Sequence, residues 1–302
     1  MWHFISDTIS SAINEVFICD SAKPIHRQHH HTSYLLKGSQ RRFFVKICDN
    51  LDVIEQAPSP LFCEAEGLNA LTDTQTIKCP KVICYGKFSE AHKHYEYLVL
   101  QYITFKSPSE NLWQTAGQQL SALHNAPISL TLNGQEHQYG WHRNNFLGAT
   151  QQFNTPSGNW ADFYITQRIE RFLSDIPKKE NVVDNETLQI IHQVLSGHSP
   201  NPALLHGDLW HGNIGFCTSA PVIFDPAVWI GDAECDLAMA ALFGGFAKSF
   251  FSTYCDLNAM PDGMALRRSI YQLSHALNHQ VLFGDSYLEM SRSLVEAIKR
   301  SI

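Results

Sequence analysis

Residues 204–216, LLHGDLWHGNIGF, gather two histidines, an aspartate and an asparagine among glycines, and the chain runs on to PVIFDPAVWIGD at 221–232. Asp208 is followed five positions later by Asn213, and Asp225 closes an apolar segment seventeen positions after Asp208. Phosphoryl transfer from a nucleotide asks little covalent chemistry of a protein. It needs a carboxylate to accept the hydroxyl proton, oxygen ligands for magnesium, and a cation on the phosphates. Asp208, Asn213 and Asp225 supply only oxygen donors, which suits a hard cation such as Mg2+. A dinuclear metallophosphatase also uses Gly-Asp and Gly-Asn elements, but it wants an upstream Asp-x-His, and this chain contains none.

The spacing matches that of kinase catalytic loops, in which an Asp precedes a metal-binding Asn by five residues and a second metal-binding Asp follows on a later strand. The cation should then come from the first third of the chain. FFVKI places Lys46 on an apolar strand, where an unpaired ammonium is costly. Glu64 or Glu66, in FCEAEGL, can pair with it, and we favour Glu64. A lone HGD is a weak signal, and a Lys ending an apolar strand commonly snorkels to solvent. Four residues agreeing in order and context carry the reading.

These residues need elements to hold them. Phe4, Ile5, Ile9, Ile13 and Val16 follow helical spacing. TSYLLKG and RRFFVKICD flank a short Gly-containing turn and read as a hairpin, and KVICYGKF and YEYLVLQYI read as two more strands. Between them, Leu61, Ala65, Leu68 and Leu71 make one apolar helix face. After residue 103 the pattern turns helical. Ser107 and Pro108 suit an N-cap and first helical residue, ahead of Trp113, Ala116, Leu120 and Leu123. Further helices are expected over Ile165–Ile176, over Leu188–Leu195 ending near Gly197, and over Leu266–Leu277 ending near Gly284. PALLH and PVIFD are short apolar strands joined by the motif loop. The fold class is α+β and bilobal: a small antiparallel-sheet lobe, 1–103, and a larger, mainly helical lobe, 104–302, with the ligand in the cleft between them.

Bulk properties narrow the function. The 302 residues carry a formal charge of −7, which argues against general nucleic-acid binding. The eight cysteines are scattered without a CxxC pair, as reduced thiols of a cytosolic protein would be. The N-terminus lacks a basic region and carries Asp7 and Glu15, unlike a secretory signal. No apolar run approaches the ~18 residues of a membrane span. A cytoplasmic protein without membrane or nucleic-acid partners is expected.

Three stretches, LLHGDLWHGNIGF, PVIFDPAVWIGDAECDLAMAALFGGF and WHRNNFLGATQQFN, closely resemble the fructosamine kinase (ketosamine-3-kinase) family. The likeness covers nearly the whole chain and is strongest from 139 to 255. That family shares the protein-kinase-like fold with aminoglycoside and choline phosphotransferases. The resemblance implies ATP-dependent phosphorylation of a ketoamine sugar on its C3 hydroxyl, in repair of glycated amines, free or protein-bound. It implies Asp208 as proton acceptor, Asn213 and Asp225 as Mg2+ ligands, and Lys46 with Glu64 as the phosphate-positioning pair. Gln101, Tyr102 and Ile103 match the connector whose backbone meets adenine. Trp210 and Asp232 are candidates to meet the sugar and its cationic amine, and Asp232 reads equally well as a helix N-cap. Asp236 and His206 are expected to brace the loop. Trp141, Asn145 and Phe146 are candidates for the substrate side, with aromatic packing as the other reading.

The chain also departs from the family. Where a glycine pair usually covers the phosphates, it has Arg27 and Gln28, within IHRQHHHTSY, which removes backbone freedom at that point. His29, His30 and His31 read as solvated loop side chains, with Arg27 able to add charge. Gln101 replaces a usual Glu, and His211 a common Ser. Two alternatives stand beside the main reading. One is an aminoglycoside- or choline-type phosphotransferase of the same fold, and the other a non-catalytic nucleotide-binding module, whose only support is the altered 26–31 segment.

Overall fold

The computed structural model describes residues 1–27, 31–49, 58–90, 93–132 and 134–301. The N-terminal helix α1 (Trp2–Ile13) buries Ile5 and Ile9 completely and ends at Asn14, whose left-handed backbone breaks the helix. Strands β1 (Ser21–Arg27), β2 (Thr32–Lys37) and β3 (Arg42–Asp49) follow, then helix α2 (Pro60–Asp73), β4 (Val82–Glu90) and β5 (Lys93–Gln101). The strands form one antiparallel sheet in the order β1-β2-β3-β5-β4.

The two-residue strand period decides where Lys46 goes. Phe43, Val45 and Ile47 share one face with Tyr97 and Val99, and these close a core under α1. Lys46 projects from the opposite face, the one that also carries Leu98 and Leu100 and packs with α2. Helix α2 starts as its sequence directs: Ser59 Oγ accepts from Phe62 N and Pro60 takes the first helical position. Ser59 also bonds the buried Glu96 carboxylate on β5, which pins the helix start to the sheet.

Beyond Gln101 the chain leaves the sheet and enters a mainly helical part. Helix α3 (Glu110–His124) is capped by Ser109, whose Oγ accepts from Leu112 N, so the cap lies two residues beyond the expected Ser107. Two small hairpins follow, β6 (Leu130–Leu132) with β7 (Gln135–His137) and β8 (Asn145–Leu147) with β9 (Thr150–Gln152). The helix expected over 165–176 is interrupted. It runs as α4 (Trp160–Tyr164), a π-helical turn (Ile165–Glu170) and α5 (Arg171–Asp175), and Ile176 is already extended. Helix α6 (Asn185–Ser196) stops at Gly197 as its pattern predicts.

The motif region is built from four short strands. β10 (Pro202–Leu205) pairs with β13 (Trp229–Asp232), and β11 (Ile214–Phe216) pairs with β12 (Pro221–Ile223). The expected strands at PALLH and PVIFD are therefore present, and each takes a different partner. Helices α7 (Glu234–Leu242), α8 (Lys248–Leu257), α9 (Met264–Phe283) and α10 (Leu288–Arg300) complete the chain, with α9 ending at Gly284. The core of this part centres on Trp160, Phe163, Trp229 and Tyr271 beneath the motif loop. No helix of the described residues is long and apolar enough to cross a membrane.

Candidate active site

The loop between β10 and β11 is held from below by hydrogen bonds that its own sequence supplies. Asp236, at the start of α7, accepts from His206 N at 2.7 Å and from Gly207 N at 2.9 Å. Its third link is to His124 Nε2 at 3.2 Å, and the His124 Nδ1 meets the Tyr254 hydroxyl. Burial alone would raise the Asp236 carboxyl, but the bonds and charge of His124 and the amides around it hold it below its usual value. His206 Nδ1 accepts from Asp208 N at 3.3 Å, so its Nε2 carries the proton and donates to Phe224 O at 3.0 Å. Burial lowers the His206 imidazole, in keeping with that neutral tautomer. The expected bracing role of Asp236 and His206 matches these bonds.

Gly207 is required by its surroundings. It lies at φ +80°, and a Cβ there would sit 2.0 Å from Ala227 O. The close approach is what lets Ala227 N donate to His206 O and brings the 225–228 segment beside the loop.

Asp208, Asn213, Asp225, Lys46 and Glu64 converge. Asn213 Nδ2 donates to Asp208 O at 2.9 Å, to Asp208 Oδ2 at 3.0 Å and to Asp225 O at 3.5 Å. Lys46 Nζ reaches Glu64 Oε2 at 2.8 Å and Asp225 Oδ1 at 2.7 Å, a link spanning 179 residues of chain. Of the two glutamates, Glu64 is the partner. Glu66 turns to His142 Nε2 at 3.0 Å and Arg143 Nε at 3.3 Å.

The electrostatics follow from one ammonium serving two carboxylates. Burial would lower Lys46, but Asp225 and Glu64 outweigh it and hold the ammonium above the ordinary lysine range. Burial would raise Asp225, yet Lys46, with His31 and His206 further off, keeps it low. Glu64 is left raised by burial and by the Asp225 charge, against the pull of Lys46. Burial pushes Asp208 up to about 7, with the Asp225 charge adding and the Asn213 bond opposing. A carboxylate poised there suits proton abstraction near neutrality.

The donor set fits a hard cation. Asn213 makes its bonds through the amide nitrogen, so the oxygen is the atom left to ligate, and Asp225 keeps a second oxygen beyond the one on Lys46. Asp225 itself adopts a left-handed backbone, φ 57°, a conformation costly to a non-glycine residue and concentrated at functional sites.

Gln101 ends the ladder opposite Phe43 and its N–H donates to Lys81 O, while Tyr102 lies under the Arg42 guanidinium at 5.3 Å. Ile103 follows, and Phe105 stacks on Phe224 next to Asp225. The connector thus lies at the cleft edge. Of the altered loop, Arg27 is exposed at the end of β1; Gln28, His29 and His30 lie outside the described residues. His31 is half-buried.

Two expectations are corrected. Asp232 is 3 % exposed, and its carboxylate accepts from the Tyr271 hydroxyl at 2.7 Å and from Glu234 N at 3.0 Å and pairs with His198 Nε2 at 2.7 Å. Both oxygens are committed inside the protein, so the geometry does not favour Asp232 as a substrate group. Its bond to Glu234 N lies one residue ahead of the cap position, which Ala233 takes, so Asp232 steadies the helix start without being its N-cap. Asn145 is likewise buried, with its amide on Val228 O, behind the site rather than on its substrate side. Trp141, partly buried, packs on His142.

Trp210 stays on the open side, and other aromatic rings continue its surface. Its ring meets Phe243 at 6.2 Å, Phe243 meets His279 at 5.1 Å, and His279 meets Tyr287 at 4.8 Å. His279 and Tyr287 lie at four-residue spacing with Phe283 at the end of α9, and it is the fold that brings Phe243 between them and Trp210.

Comparison with known proteins follows from this geometry. The chain matches the fructosamine kinase family across residues 1–301. It is 34% identical over 302 residues to a Synechocystis protein named "Probable ketoamine kinase", covering 99% of this chain and 97% of that protein. The crystal structure of a "Putative fructosamine-3-kinase" from Haemophilus somnus superposes with a TM-score of 0.86 at 25% identity, over 99% of this chain and 97% of that one. A thermostable aminoglycoside phosphotransferase APH(4)-Ia, in ternary complex with ADP and hygromycin B, shares the fold alone, with a TM-score of 0.66 at 11% identity over 98% of each chain.

Proposed function

Because this chain belongs to the fructosamine kinase family, we propose that it transfers the γ-phosphoryl group of ATP to the C3 hydroxyl of ketoamine sugars in the repair of glycated amines. It is a phosphotransferase with a hydroxyl acceptor and a member of a kinase family acting on ketoamines. The finer assignment rests on one observation above others: Lys46 bridges Glu64 and Asp225 from the sheet to the motif region, within the same cleft as Asp208.

In this reading the connector at Gln101–Ile103 takes adenine, and the Lys46 ammonium, steadied by Glu64, orients the phosphates. Asn213 and Asp225 would hold Mg2+, which supplies charge neutralisation on the transferring phosphates. Asp208 accepts the proton of the attacking C3 hydroxyl as its oxygen bonds to the γ-phosphorus. The bond to the β–γ bridging oxygen breaks, and ADP leaves. The partly exposed wall of Trp210, Phe243, His279 and Tyr287 suits the amine-bearing end of the ketoamine, because a cation is attracted to ring faces. A phosphate on C3, next to the C2 ketone, is a good leaving group, so the product sheds phosphate and frees the amine. That consequence is the repair.

The test is ADP release from ATP with fructosyl-lysine and Mg2+, with the phosphate located by NMR. Phosphate on C3, and loss of turnover in Asp208→Asn, are expected. No turnover across fructosamines and ribulosamines, with turnover on an aminoglycoside or choline, would overturn the substrate assignment. ATP binding without turnover on any acceptor would favour a binding module.

A further inference from the structure

The stretch WHRNNFLGATQQFN carries His142, Arg143 and Gln151 at the surface, yet three of its amides are among the most buried polar side chains of the protein. Asn145, Gln152, Asn154 and Arg168 are all 3 % exposed or less. They form one chain of hydrogen bonds. Arg168, in the π-helical turn, donates to Asn154 Oδ1 at 2.7 Å, and Asn154 Nδ2 donates to Asn145 Oδ1 at 2.8 Å. Gln152 Nε2 donates to the same Asn145 oxygen at 2.8 Å.

The chain ends on the backbone beside Asp225. Asn145 Nδ2 donates to Val228 O at 2.6 Å, and Gln152 Nε2 donates to Ala227 O at 3.1 Å. The Arg168 guanidinium lies 4.2 Å over the Trp229 ring, the next residue along. The opposite edge of the same segment is held by the catalytic loop, through Phe224 O to His206 Nε2, Phe224 N to Asn213 O, and Ala227 N to His206 O. Residues 224–229 are therefore gripped from two sides, and the left-handed Asp225 sits between the grips. A conformation that costs a non-glycine residue free energy persists only where its surroundings over-determine it.

The same stretch also reaches α2. Glu66 on that helix pairs with His142 and Arg143, and Arg143 O accepts from Asn154 Nδ2 at 3.1 Å. Gly67 of α2 packs so closely on the segment that an added Cβ would lie 3.2 Å from both Pro226 and Val228. The helix carrying Glu64 and the turn carrying Asp225 are thus fastened to one hairpin.

From this arrangement we propose that Asn145, Gln152, Asn154 and Arg168 are positioning residues for the phosphoryl-transfer site: a buried amide brace that sets the backbone at 225–228 and with it the aim of the Asp225 carboxylate. The brace acts through Asp225 and touches no substrate. The inference rests on the reading of Asp225 as a metal ligand.

The experiment measures binding without turnover. Mg2+ is titrated by calorimetry into the protein with AMP-PNP, for wild type, Gln152→Met and Asn145→Asp. Gln152→Met preserves size and removes the donor, while Asn145→Asp turns an oxygen toward Val228 O. Partners that bond a metal ligand directly typically change affinity about 10–100-fold, and this brace acts one step further out, through the backbone at 227–228, so the lower end of that range applies. We expect about tenfold weaker Mg2+ binding in Gln152→Met and more in Asn145→Asp, with kcat falling and the KM for ketoamine within about twofold of wild type. Asp184→Ala, which weakens a distant helix cap, serves as a destabilised control with unchanged Mg2+ affinity. If Asn145→Asp does not fold, Gln152→Met decides. A folded Gln152→Met with wild-type Mg2+ affinity and kcat overturns the brace. Absence of Mg2+-dependent binding in the wild type instead overturns the metal-ligand reading beneath it.

Discussion

The floor and the roof of the cleft are held in different ways. The floor, from His206 to Asp236, is tied by buried bonds from Asp236, His206, Asn213, Asn145 and Gln152, several of them to backbone. At the site the roof reaches across with Lys46, shared between Glu64 on its own side and Asp225 on the other. A floor with many redundant bonds fixes the backbone on which Asp208, the proposed proton acceptor, sits. The roof also rests on the floor through α2, with Gly67 against Pro226 and Val228 and Glu66 paired to His142 and Arg143, so Lys46 is its charged contact at the site itself and not its only tie. Glycine is absent from the 27–31 stretch of the roof.

The largest expected effect separates chemistry from architecture. Asp208→Asn should lower kcat on the order of 10³-fold, the scale of a lost general base. Its stability should move the other way. The folded carboxyl is raised, so ionisation opposes folding above the unfolded pKa near 4, and the penalty grows until pH passes about 7. The variant should melt higher than wild type at pH 8 and alike at pH 4, measured without metal. Equal melting at both pH values would mean that the carboxylate is not desolvated.

Next comes the floor's tightest contact. Gly207→Ala forces a Cβ against Ala227 O at a positive φ, and we expect it to lose about 4 kcal/mol of stability along with activity. Urea unfolding measures this. A loss below about 1 kcal/mol would show the floor to be adaptable, and the contrast with the roof would weaken.

Lys46→Met addresses the roof. It leaves Glu64 and Asp225 without their shared cation, a break that costs about 3 kcal/mol for a buried pair. The KM for ATP should rise more than the KM for ketoamine. Proteolysis should cut faster within the N-terminal sheet and α2 than within the floor. An equal rise in both KM values would argue that roof and floor move as one body.

The smallest effect lies away from both. Asp184 caps α6 through Thr187 N and pairs with Lys299. Its carboxyl is lowered by the Lys299 bond and by the Thr187 cap, so its contribution is complete above the unfolded pKa and fades as pH falls through the lower folded one. Asp184→Ala should lose about 1 kcal/mol at pH 7, less at pH 3, and no activity. Any change in kcat would place α6 in contact with the cleft after all.

Much of this architecture was legible residue by residue, and the failures have a common cause. The period-2 pattern of FFVKI put Lys46 on a sheet face, and Gly197 and Gly284 marked helix ends that the structure keeps. The interruption at 165–170 went unseen because its apolar spacing is that of an unbroken helix; what differs is the inward Arg168, whose partner Asn154 lies in another element. The cap at Ser109 rather than Ser107 is a choice between two residues of equal local merit. Asp232 and Asn145 looked like site residues because polar side chains in a motif suggest ligands, and burial reversed both.

What the sequence by itself determined is the local chemistry: Asp208, the Asn five residues on, the Gly that lets the loop turn, and Asp225 at the end of its apolar segment. A strand–loop–strand unit keeps such neighbours together whatever surrounds it. The tertiary structure alone decided which glutamate meets Lys46, that Asp232 faces inward, that Trp210, Phe243, His279 and Tyr287 share one wall, and that an amide chain stands behind Asp225. Many of those contacts join residues tens to nearly two hundred positions apart, and there only the packing of sheet, helices and hairpins chooses among the many partners that spacing permits.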